Sequence, residues 1–149
     1  MMLIKKAEFD EDTVKQLIEL SVKWEEEGCT FGIVRNTADD LKQPCFTASD
    51  DGKIAGYVFG HYYTTDRGTS CIDAGSRCFE IDELYVLPEY RSSGIGSQLM
   101  RAIEKEAGKT ADVITLSTST KDYEKILKFY TADNGMTFHD AFLFKKLKG

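Results

Sequence analysis

Apolar positions along this chain recur first at helical and then at strand spacing, which predicts the order of its elements. After Asp10 or Asp12, either of which can cap a helix, an apolar repeat runs to a stop signal at Gly28. The repeat consists of Val14, Leu17, Ile18, Ser21 and Val22. The first segment of the chain is therefore predicted to contain an amphipathic helix with one buried face.

The rest of the chain alternates strand and helix patterns. The predicted strands are Met2 to Glu8, Cys45 to Ser49, Ile54 to Thr64, Phe79 to Leu87, Val113 to Thr118 and Ala141 to Leu147. The predicted further helices are Asn36 to Leu41, Gly94 to Ala107 and Tyr123 to Ala132. A hairpin turn at Asp50 to Lys53 joins the second and third strands. This order predicts the α/β class: a mixed, mostly antiparallel sheet with helices on both faces.

The length and the charge of the chain narrow the class of protein and the kinds of partner to be expected. With 149 residues, 42% hydrophobic and 30% charged, the chain is expected to form a single domain over residues 1–149. The formal net charge of -6 disfavours nucleic acid and favours a cationic small molecule or a basic peptide, although acidity also serves solubility. No segment has the roughly 20 apolar residues that span a bilayer, so no membrane partner is expected.

The four cysteines form no CxxC pair, and the chain has only two histidines, so no metal site is expected. The start of the chain does not read as a secretory signal. The cysteines are therefore interpreted as reduced thiols of a cytoplasmic protein.

The most informative segment is a glycine-containing turn between a strand and a helix. The first turn of a helix has unpaired amides and a partial positive charge, and glycine lets the backbone approach an anion closely. The donors predicted to line this anion site belong to Arg91, Ser92, Ser93, Gly94, Ile95, Gly96 and Ser97. The spacing fits neither the phosphate-binding loop motif of nucleotide triphosphatases nor the dinucleotide fingerprint.

Residues 84–100, LYVLPEYRSSGIGSQLM, resemble the acetyl-CoA signature of the GNAT superfamily of N-acetyltransferases. Arg91, Gly94 and Gly96 match the signature itself. The matching flanks are Leu84, Val86, Pro88 and Tyr90. The length and the order of elements over nearly the whole chain match this family too.

The resemblance implies how acetyl-CoA would bind as co-substrate. The amides of the turn would hold the CoA pyrophosphate, and the backbone at Val86 and Leu87 would pair with the pantetheine arm. The strand Val113 to Thr118 would splay from the strand Phe79 to Leu87. The thioester would lie in that opening.

Acyl transfer to an amine needs a group that accepts the amine's proton. Glu80, Asp82 and Glu83 precede the turn and are the candidates, and Glu83 is favoured for its long side chain. Strand alternation places Glu80 and Asp82 on one face and Glu83 on the other, unless a bulge breaks the alternation. In polyamine-acetylating members of the family, a glutamate stands at the position of Asp82. The alternative is that these are solvent-facing charges.

Tyr130 corresponds by resemblance to a tyrosine that protonates the CoA thiolate. This chain departs from the family pattern, because Tyr123 and Ile126 replace the usual Asn and Ala of that helix. Tyr130 also belongs to an apolar stripe at helical spacing, so the alternative is a core aromatic.

Trp24, Glu26 and Glu27 lie at the predicted end of the first helix, where carboxylates oppose the helix dipole. A role for them in binding a cationic acceptor would explain this arrangement. The alternative is a solvated acidic face. His61, near the end of a long strand, is interpreted as an edge residue rather than a base.

Together these observations predict an acyltransferase that moves an acetyl group from acetyl-CoA to a primary amine by direct attack in a ternary complex. The expected acceptor is a small cationic amine. Two alternatives stay open: acetylation of a protein lysine or N-terminus, and a non-catalytic module that senses acyl-CoA. The sequence leaves the oligomeric state open, with a homodimer as one alternative.

Overall fold

The computed structural model describes residues 2–149. The strands are β1 (Met2–Lys6), β2 (Cys45–Asp50), β3 (Lys53–Thr64), β4 (Arg77–Val86) and β5 (Val113–Thr115). The helices are α1 (Glu11–Glu27), α2 (Ile95–Ala107) and α3 (Tyr123–Lys128), with short 3-10 turns at Ala38–Asp40 and Pro88–Tyr90 and a π turn at Phe129–Asp133. No helix in this part of the chain combines the length and the apolar character needed to cross a membrane.

The ends of α1 follow the capping signals in the sequence. The Asp10 side chain accepts a hydrogen bond from the Thr13 amide at 2.8 Å, which satisfies one of the free amides of the first turn. Gly28 ends the helix at a φ of 64°, a conformation that glycine adopts at little cost. The hairpin between β2 and β3 turns at Asp51 and Gly52, both of which have positive φ, as predicted.

The sheet is mixed and lies between helices. Its strand order is β1-β2-β3-β4-β5, antiparallel through β4 and parallel between β4 and β5. On one face, Leu17 and Leu20 of α1 pack against Tyr57 and Tyr85. On the other face, the buried side of α2 packs against β2, β3 and β4. The predicted fold class is confirmed.

A β-bulge in β4 changes which side chains share a face. The pairing register moves from Phe59–Glu83 to Gly60–Ile81, which leaves Asp82 as the extra residue. Before the bulge Ile81 packs on the α2 face, and after it Leu84 does so. The bulge therefore breaks the strict alternation, the alternative that the sequence left open, and Glu83 lies on the α1 face, where it meets Tyr57.

The strands β4 and β5 pair over only three residues. The parallel register runs from Cys78–Val113 to Glu80–Thr115, whereas β4 continues to Val86. Beyond Thr115 the backbone no longer pairs with β4, so β5 is shorter than the predicted strand Val113 to Thr118. The separation opens a groove at the carboxyl ends of both strands.

Three other predicted elements differ from the structure. Residues 36–41 form only the 3-10 turn, because the chain is already extended at Leu41. The helix predicted to reach Ala132 becomes a π turn after Lys128, where the Thr131 hydroxyl bonds the Leu127 carbonyl at 2.6 Å. The strand predicted at Ala141 to Leu147 is absent, since that segment has no strand partner within residues 2–149.

Candidate active site

A groove of about 1130 Å³ occupies the opening between β4 and β5. One wall is the end of β4 and the turn that leads into α2. The other wall contains residues 116–120 and α3, and the segment 29–36 closes the remaining side. Backbone hydrogen bonds from Phe31 to Ser119 (2.9 Å) and from Lys121 to Cys29 (2.8 Å) fasten these last two segments together.

The start of α2 lies in this groove and is not capped by a side chain. The first regular bond of the helix runs from the Gln98 amide to the Gly94 carbonyl at 3.0 Å, so the preceding amides of the turn lack helical partners. Gly94 has a φ of 87° and Ser92 a φ of 65°. This tight turn aims an uncapped, partially positive helix end at the groove, which suits an anion.

The serine hydroxyls of the turn are less available to a bound anion than its backbone amides, because two of them already make hydrogen bonds within the fold. Ser93 donates to the Tyr90 carbonyl at 2.6 Å, and Ser97 accepts a bond from the Asn134 side chain at 3.2 Å. Ser92, Gly94, Gly96 and Ser97 line the groove, whereas Ser93 and Ile95 do not. A Cβ on Gly96 would lie 3.1 Å from the Phe129 ring, so this glycine also permits close packing of α2 against the π turn.

Arg91 is held by the end of α1. Its guanidinium donates two parallel bonds to the Glu27 carboxylate, each of 2.8 Å, and its Nε donates to the Val86 carbonyl at 2.9 Å. The Tyr85 hydroxyl also donates to Glu27. This bidentate pair, which we call the Arg91–Glu27 clasp, fixes the turn to α1.

Of the two residues predicted to pair with pantetheine, only Val86 lines the groove. The Leu87 amide donates to the Ala55 carbonyl at 2.8 Å, and the Leu87 carbonyl accepts from the Tyr90 amide at 2.9 Å. Because both of its backbone groups are used within the fold, Leu87 is removed from the candidate site.

Glu83 lies in the groove wall, directly after the bulge. Its Oε1 accepts hydrogen bonds from the Tyr57 hydroxyl at 2.7 Å and from the Asn36 side-chain amide at 3.0 Å. Its Oε2 accepts no hydrogen bond from residues 2–149. One oxygen is thus fixed by two donors, and the other is available to a proton donor in the groove.

The surroundings of Glu83 favour proton uptake. Burial raises the pKa of its carboxyl above the ordinary value, against the hydrogen bonds from Tyr57 and Asn36, which lower it. Burial also keeps the pKa of the Tyr57 hydroxyl well above its ordinary value, so Tyr57 remains a donor. A carboxylate with a raised pKa and one free oxygen has the properties of a general base.

The other two acidic candidates are placed differently. Oδ2 of Asp82 lies 3.1 Å from the Lys42 ammonium and 2.9 Å from Nδ1 of His61. Glu80 does not line the groove, and it offers an oxygen within 4.8 Å of ligand atoms of His61 and Asp82. Since these three groups could hold a cation, the expectation of no metal stays a prediction.

Tyr130 lines the groove and also packs on the α2 side of the sheet. Its ring makes an edge contact with Phe129 at 5.1 Å between centroids. Burial raises the pKa of its hydroxyl to about 12, so the group stays protonated at neutral pH. Tyr130 is thus a packed ring on the wall of the groove, and its role as an acid stays a prediction.

The acidic end of α1 is not the acceptor wall that we predicted. Trp24 lines the groove and stacks on Tyr85 at 5.1 Å, but Glu26 and Glu27 do not line it. Glu27 belongs to the clasp, and Glu25 pairs with Arg35 through bonds of 2.6 to 2.9 Å. The acidic residues that do line the groove are Asp39, Asp40, Asp82, Glu83, Asp122 and Asp133.

Sequence reasoning missed four residues of this groove and its supports. Asn36 and Tyr57 fix Glu83 from positions 47 and 26 residues away, and no local motif marks them. Lys125 and Lys128 of α3 line the groove as cations. The sequence shows that the two lysines are spaced to share one face of a helix. It does not show that this face lines the groove.

Comparison with known families identifies the chain. Residues 10–136 match the model of the Acetyltransferase (GNAT) family. The chain therefore belongs to this family and is an acyltransferase. Among curated proteins, no sequence match is found.

Solved structures share the fold over nearly the whole chain. An aminoglycoside acetyltransferase from an uncultured soil metagenomic sample, in complex with trehalose, has a TM-score of 0.71 and 20% identity, covering 99% of this chain and 97% of that one. An acetyltransferase of Trypanosoma brucei gives 0.69 and 19%, covering 99% and 100%. An aminoglycoside N-acetyltransferase in complex with CoA gives 0.68 and 16%, covering 97% and 98%.

Proposed function

We propose that this protein transfers the acetyl group of acetyl-CoA to a primary amine by direct attack in a ternary complex. The observation that carries the proposal is the shared groove. The free oxygen of Glu83, the hydroxyl-bearing Tyr130 and the uncapped start of α2 all belong to one cavity. An anion-binding end, a base and an acid are the groups that this reaction needs.

The CoA end of the groove is the turn before α2. Its unpaired amides would receive the pyrophosphate, and Lys125 and Lys128 add positive charge on the opposite wall. The pantetheine arm would run along β4 beside Val86, toward the place where β4 and β5 separate. The thioester would then lie between Glu83 and Tyr130.

The chemistry balances with these two residues. The acceptor ammonium first releases a proton to solvent, because only the neutral amine has a lone pair. Its nitrogen then attacks the thioester carbonyl, and a second proton passes to Oε2 of Glu83, directly or through one water. The new C–N bond forms and the C–S bond breaks. The leaving thiolate takes the proton of the Tyr130 hydroxyl, and exchange with solvent restores both groups.

A small cationic amine is the proposed acceptor. Asp39, Asp40 and Glu83 all line the groove, and the charge of Asp40 is close enough to Glu83 to raise the pKa of that carboxyl. A protonated amine gains roughly 1 kcal/mol per close carboxylate in water, and more where water is excluded. Two of the structural neighbours are described as aminoglycoside acetyltransferases, which is consistent with a polycationic acceptor.

The test is release of free thiol from acetyl-CoA across a panel of polyamines, aminoglycosides, lysine-containing peptides and neutral amines. We expect the fastest turnover with a small polycation, and a KM for the amine that rises with salt, because screening weakens attraction to the acidic lining. Preference for peptides would favour the protein-acetylating alternative. Acetyl-CoA binding without turnover on any amine would favour the sensor alternative. The cytoplasmic location inferred from the sequence is part of this proposal and is tested by fractionation.

A further inference from the structure

A lysine of the chain itself lies in the groove, next to the proposed base. Lys42 follows the 3-10 turn at Ala38–Asp40 and lines the cavity. Its Nζ lies 3.1 Å from Oδ2 of Asp82, the extra residue of the β4 bulge. Glu83 is the next residue of that strand and lines the same cavity. The fold therefore holds a primary amine of its own where the acceptor of the proposed reaction would bind.

The segment that leads to Lys42 is anchored to the core around Glu83. Asn36 is buried, and its side-chain amide donates to Oε1 of Glu83 at 3.0 Å. Leu41, directly before Lys42, is buried in the same core cluster as Tyr57, the second donor to Glu83. Lys42 therefore leaves the backbone at a defined position beside the bulge, and only its side chain is free to move.

The ion pair with Asp82 does not lock the lysine in place. The side chain of Lys42 is 47% exposed, and a lysine has a long, flexible stem. An ion pair with one partner this exposed contributes little stability, so the ammonium can leave Asp82 at low cost. Oδ2 of Asp82 then keeps Nδ1 of His61 as a partner at 2.9 Å. The Nζ atom can therefore move along the groove wall while every helix and strand stays intact.

The other cations that line the groove are less suited to accept an acetyl group. Arg35 and Arg91 carry guanidinium groups, which stay protonated and are poor nucleophiles. Lys125 and Lys128 lie on α3, in the wall opposite β4, where the proposed phosphate site needs positive charge. Lys42 is thus the lysine on the wall that carries the proposed base.

We propose that the protein acetylates Lys42 of its own chain from acetyl-CoA when no amine acceptor occupies the groove. Self-acetylation rests on the proposed function, because it uses the same co-substrate and the same two side chains. Acetylation replaces the ammonium by a neutral amide, so the ion pair with Asp82 is lost. The modified chain then has a more acidic acceptor wall than the unmodified one.

The step balances in the same way as transfer to a free amine. The Lys42 ammonium first releases a proton to solvent. Its neutral Nζ attacks the thioester carbonyl carbon, the N–C bond of an amide forms, and the C–S bond breaks. A second proton of Nζ passes to Glu83, directly or through water, and the CoA thiolate takes the proton of the Tyr130 hydroxyl. The products are Nε-acetyl-lysine at this residue and free CoA.

Peptide mass spectrometry after incubation with deuterated acetyl-CoA, without any amine, tests this proposal. Lys53, exposed at the start of β3 and outside the groove, is the internal reference. We expect Lys42 to be labelled at least about tenfold faster than Lys53, because the bound thioester lies close to Lys42. With acetyl-CoA in excess, the rate per chain should stay constant over roughly tenfold dilution, since one molecule holds both reactants. An added polyamine should slow the labelling by competing for the groove.

Matched variants and a second reagent separate enzymatic transfer from intrinsic reactivity of the lysine. Glu83→Gln should slow labelling of Lys42 about tenfold and leave Lys53 unchanged. Lys42→Arg, which keeps the charge, should remove most of the label, whereas Lys53→Arg should not. The acetyl ester of N-hydroxysuccinimide, which lacks the CoA portion, should label both lysines at similar rates.

Labelling of Lys42 no faster than that of Lys53 would overturn the proposal, as would the same preference for Lys42 with the small reagent. A rate per chain that rises with protein concentration would place the transfer between chains, contrary to the proposal. A chain that acetylates free amines but leaves Lys42 unlabelled would overturn self-acetylation and leave the proposed function intact. Labelling of Lys42 that depends on Glu83, without turnover of any free amine, would support self-acetylation and count against the proposed acceptor.

Discussion

The two ends of the groove are built from different parts of the chain and offer different groups. At the α2 end, the proposed binding groups are backbone amides of one continuous turn, and the conformation at Gly94 sets their direction. At the Glu83 end, the proposed base is one carboxylate, fixed by Asn36 and Tyr57 from two other elements. At the α2 end, a substitution should therefore matter when it changes the shape or the charge of the backbone site. At the Glu83 end, replacing a single carboxylate oxygen should be enough.

The largest effect is expected at the α2 end. Gly96→Glu places a side chain and a negative charge where the amides point, and its Cβ would also press on Phe129. Acetyl-CoA affinity, measured by calorimetry, should fall roughly a hundredfold or more. Gly96→Ala is the control for bulk alone, and we expect a smaller loss. Wild-type affinity in the glutamate variant would show that this turn is not the CoA site.

At the other end, Glu83→Gln keeps the size of the side chain and removes the proton acceptor. We expect kcat/KM for the amine to fall by about a hundredfold while acetyl-CoA affinity is unchanged. Asp82→Asn, one residue earlier in the bulge, should cost much less, because Asp82 is paired with Lys42 and His61. Equal losses in the two variants would remove the distinction between these carboxylates.

Because the pKa of Glu83 is raised, Glu83→Gln should also change how the stability of the fold depends on pH. Below the unfolded-state pKa the carboxyl is protonated in both states and has no effect. Between the unfolded-state pKa and the raised folded-state pKa, the unfolded chain releases the proton while the folded state retains it. The wild type therefore loses stability relative to Glu83→Gln over this range, and the loss is complete above the folded pKa. Thermal melts should show the variant as more stable at neutral pH, with the difference vanishing in acid.

Tyr130→Phe tests the proposed role of Tyr130 as the acid that protonates the thiolate. It retains the ring that packs against α2 and removes the hydroxyl. We expect kcat to fall about tenfold with the fold and acetyl-CoA affinity preserved. Because the pKa of the hydroxyl is about 12, its loss should add no new limb to the pH profile between 6 and about 9. A change in kcat of less than about twofold would assign Tyr130 to packing alone.

The smallest effect is expected at the clasp that joins the turn to α1. Glu27→Gln weakens the bidentate contact with Arg91 and should raise the KM for acetyl-CoA about threefold, with kcat nearly unchanged. Glu26→Gln is the matched control, because it removes the same charge one residue away, whereas the bonds from Arg91 end on Glu27. Restored affinity in Glu27→Asp would indicate positioning by charge. The same loss in both glutamine variants would point to general electrostatics instead.

Local signals in the sequence predicted most of the fold. Asp10 and Gly28 mark the two ends of α1, and Asp51 with Gly52 forms the expected hairpin turn. The errors fall where one segment depends on another. Ala141 to Leu147 has the composition of a strand, but a strand also requires a partner edge. Glu26 and Glu27 share a helix end with Trp24, yet Glu27 is turned toward Arg91 rather than the groove.

The sequence by itself determined the α2 turn, because an anion site of backbone amides needs only a strand, glycines and a helix start in succession. The sequence favoured Glu83 only for its long side chain, and tertiary structure supplied the surroundings that distinguish it from Glu80 and Asp82. Glu80, Asp82 and Glu83 lie within four positions of one another, but a bulge gave Glu83 alone the buried place between Asn36 and Tyr57. The pKa of a carboxyl depends on burial and on nearby donors, and here both are contributed by distant elements.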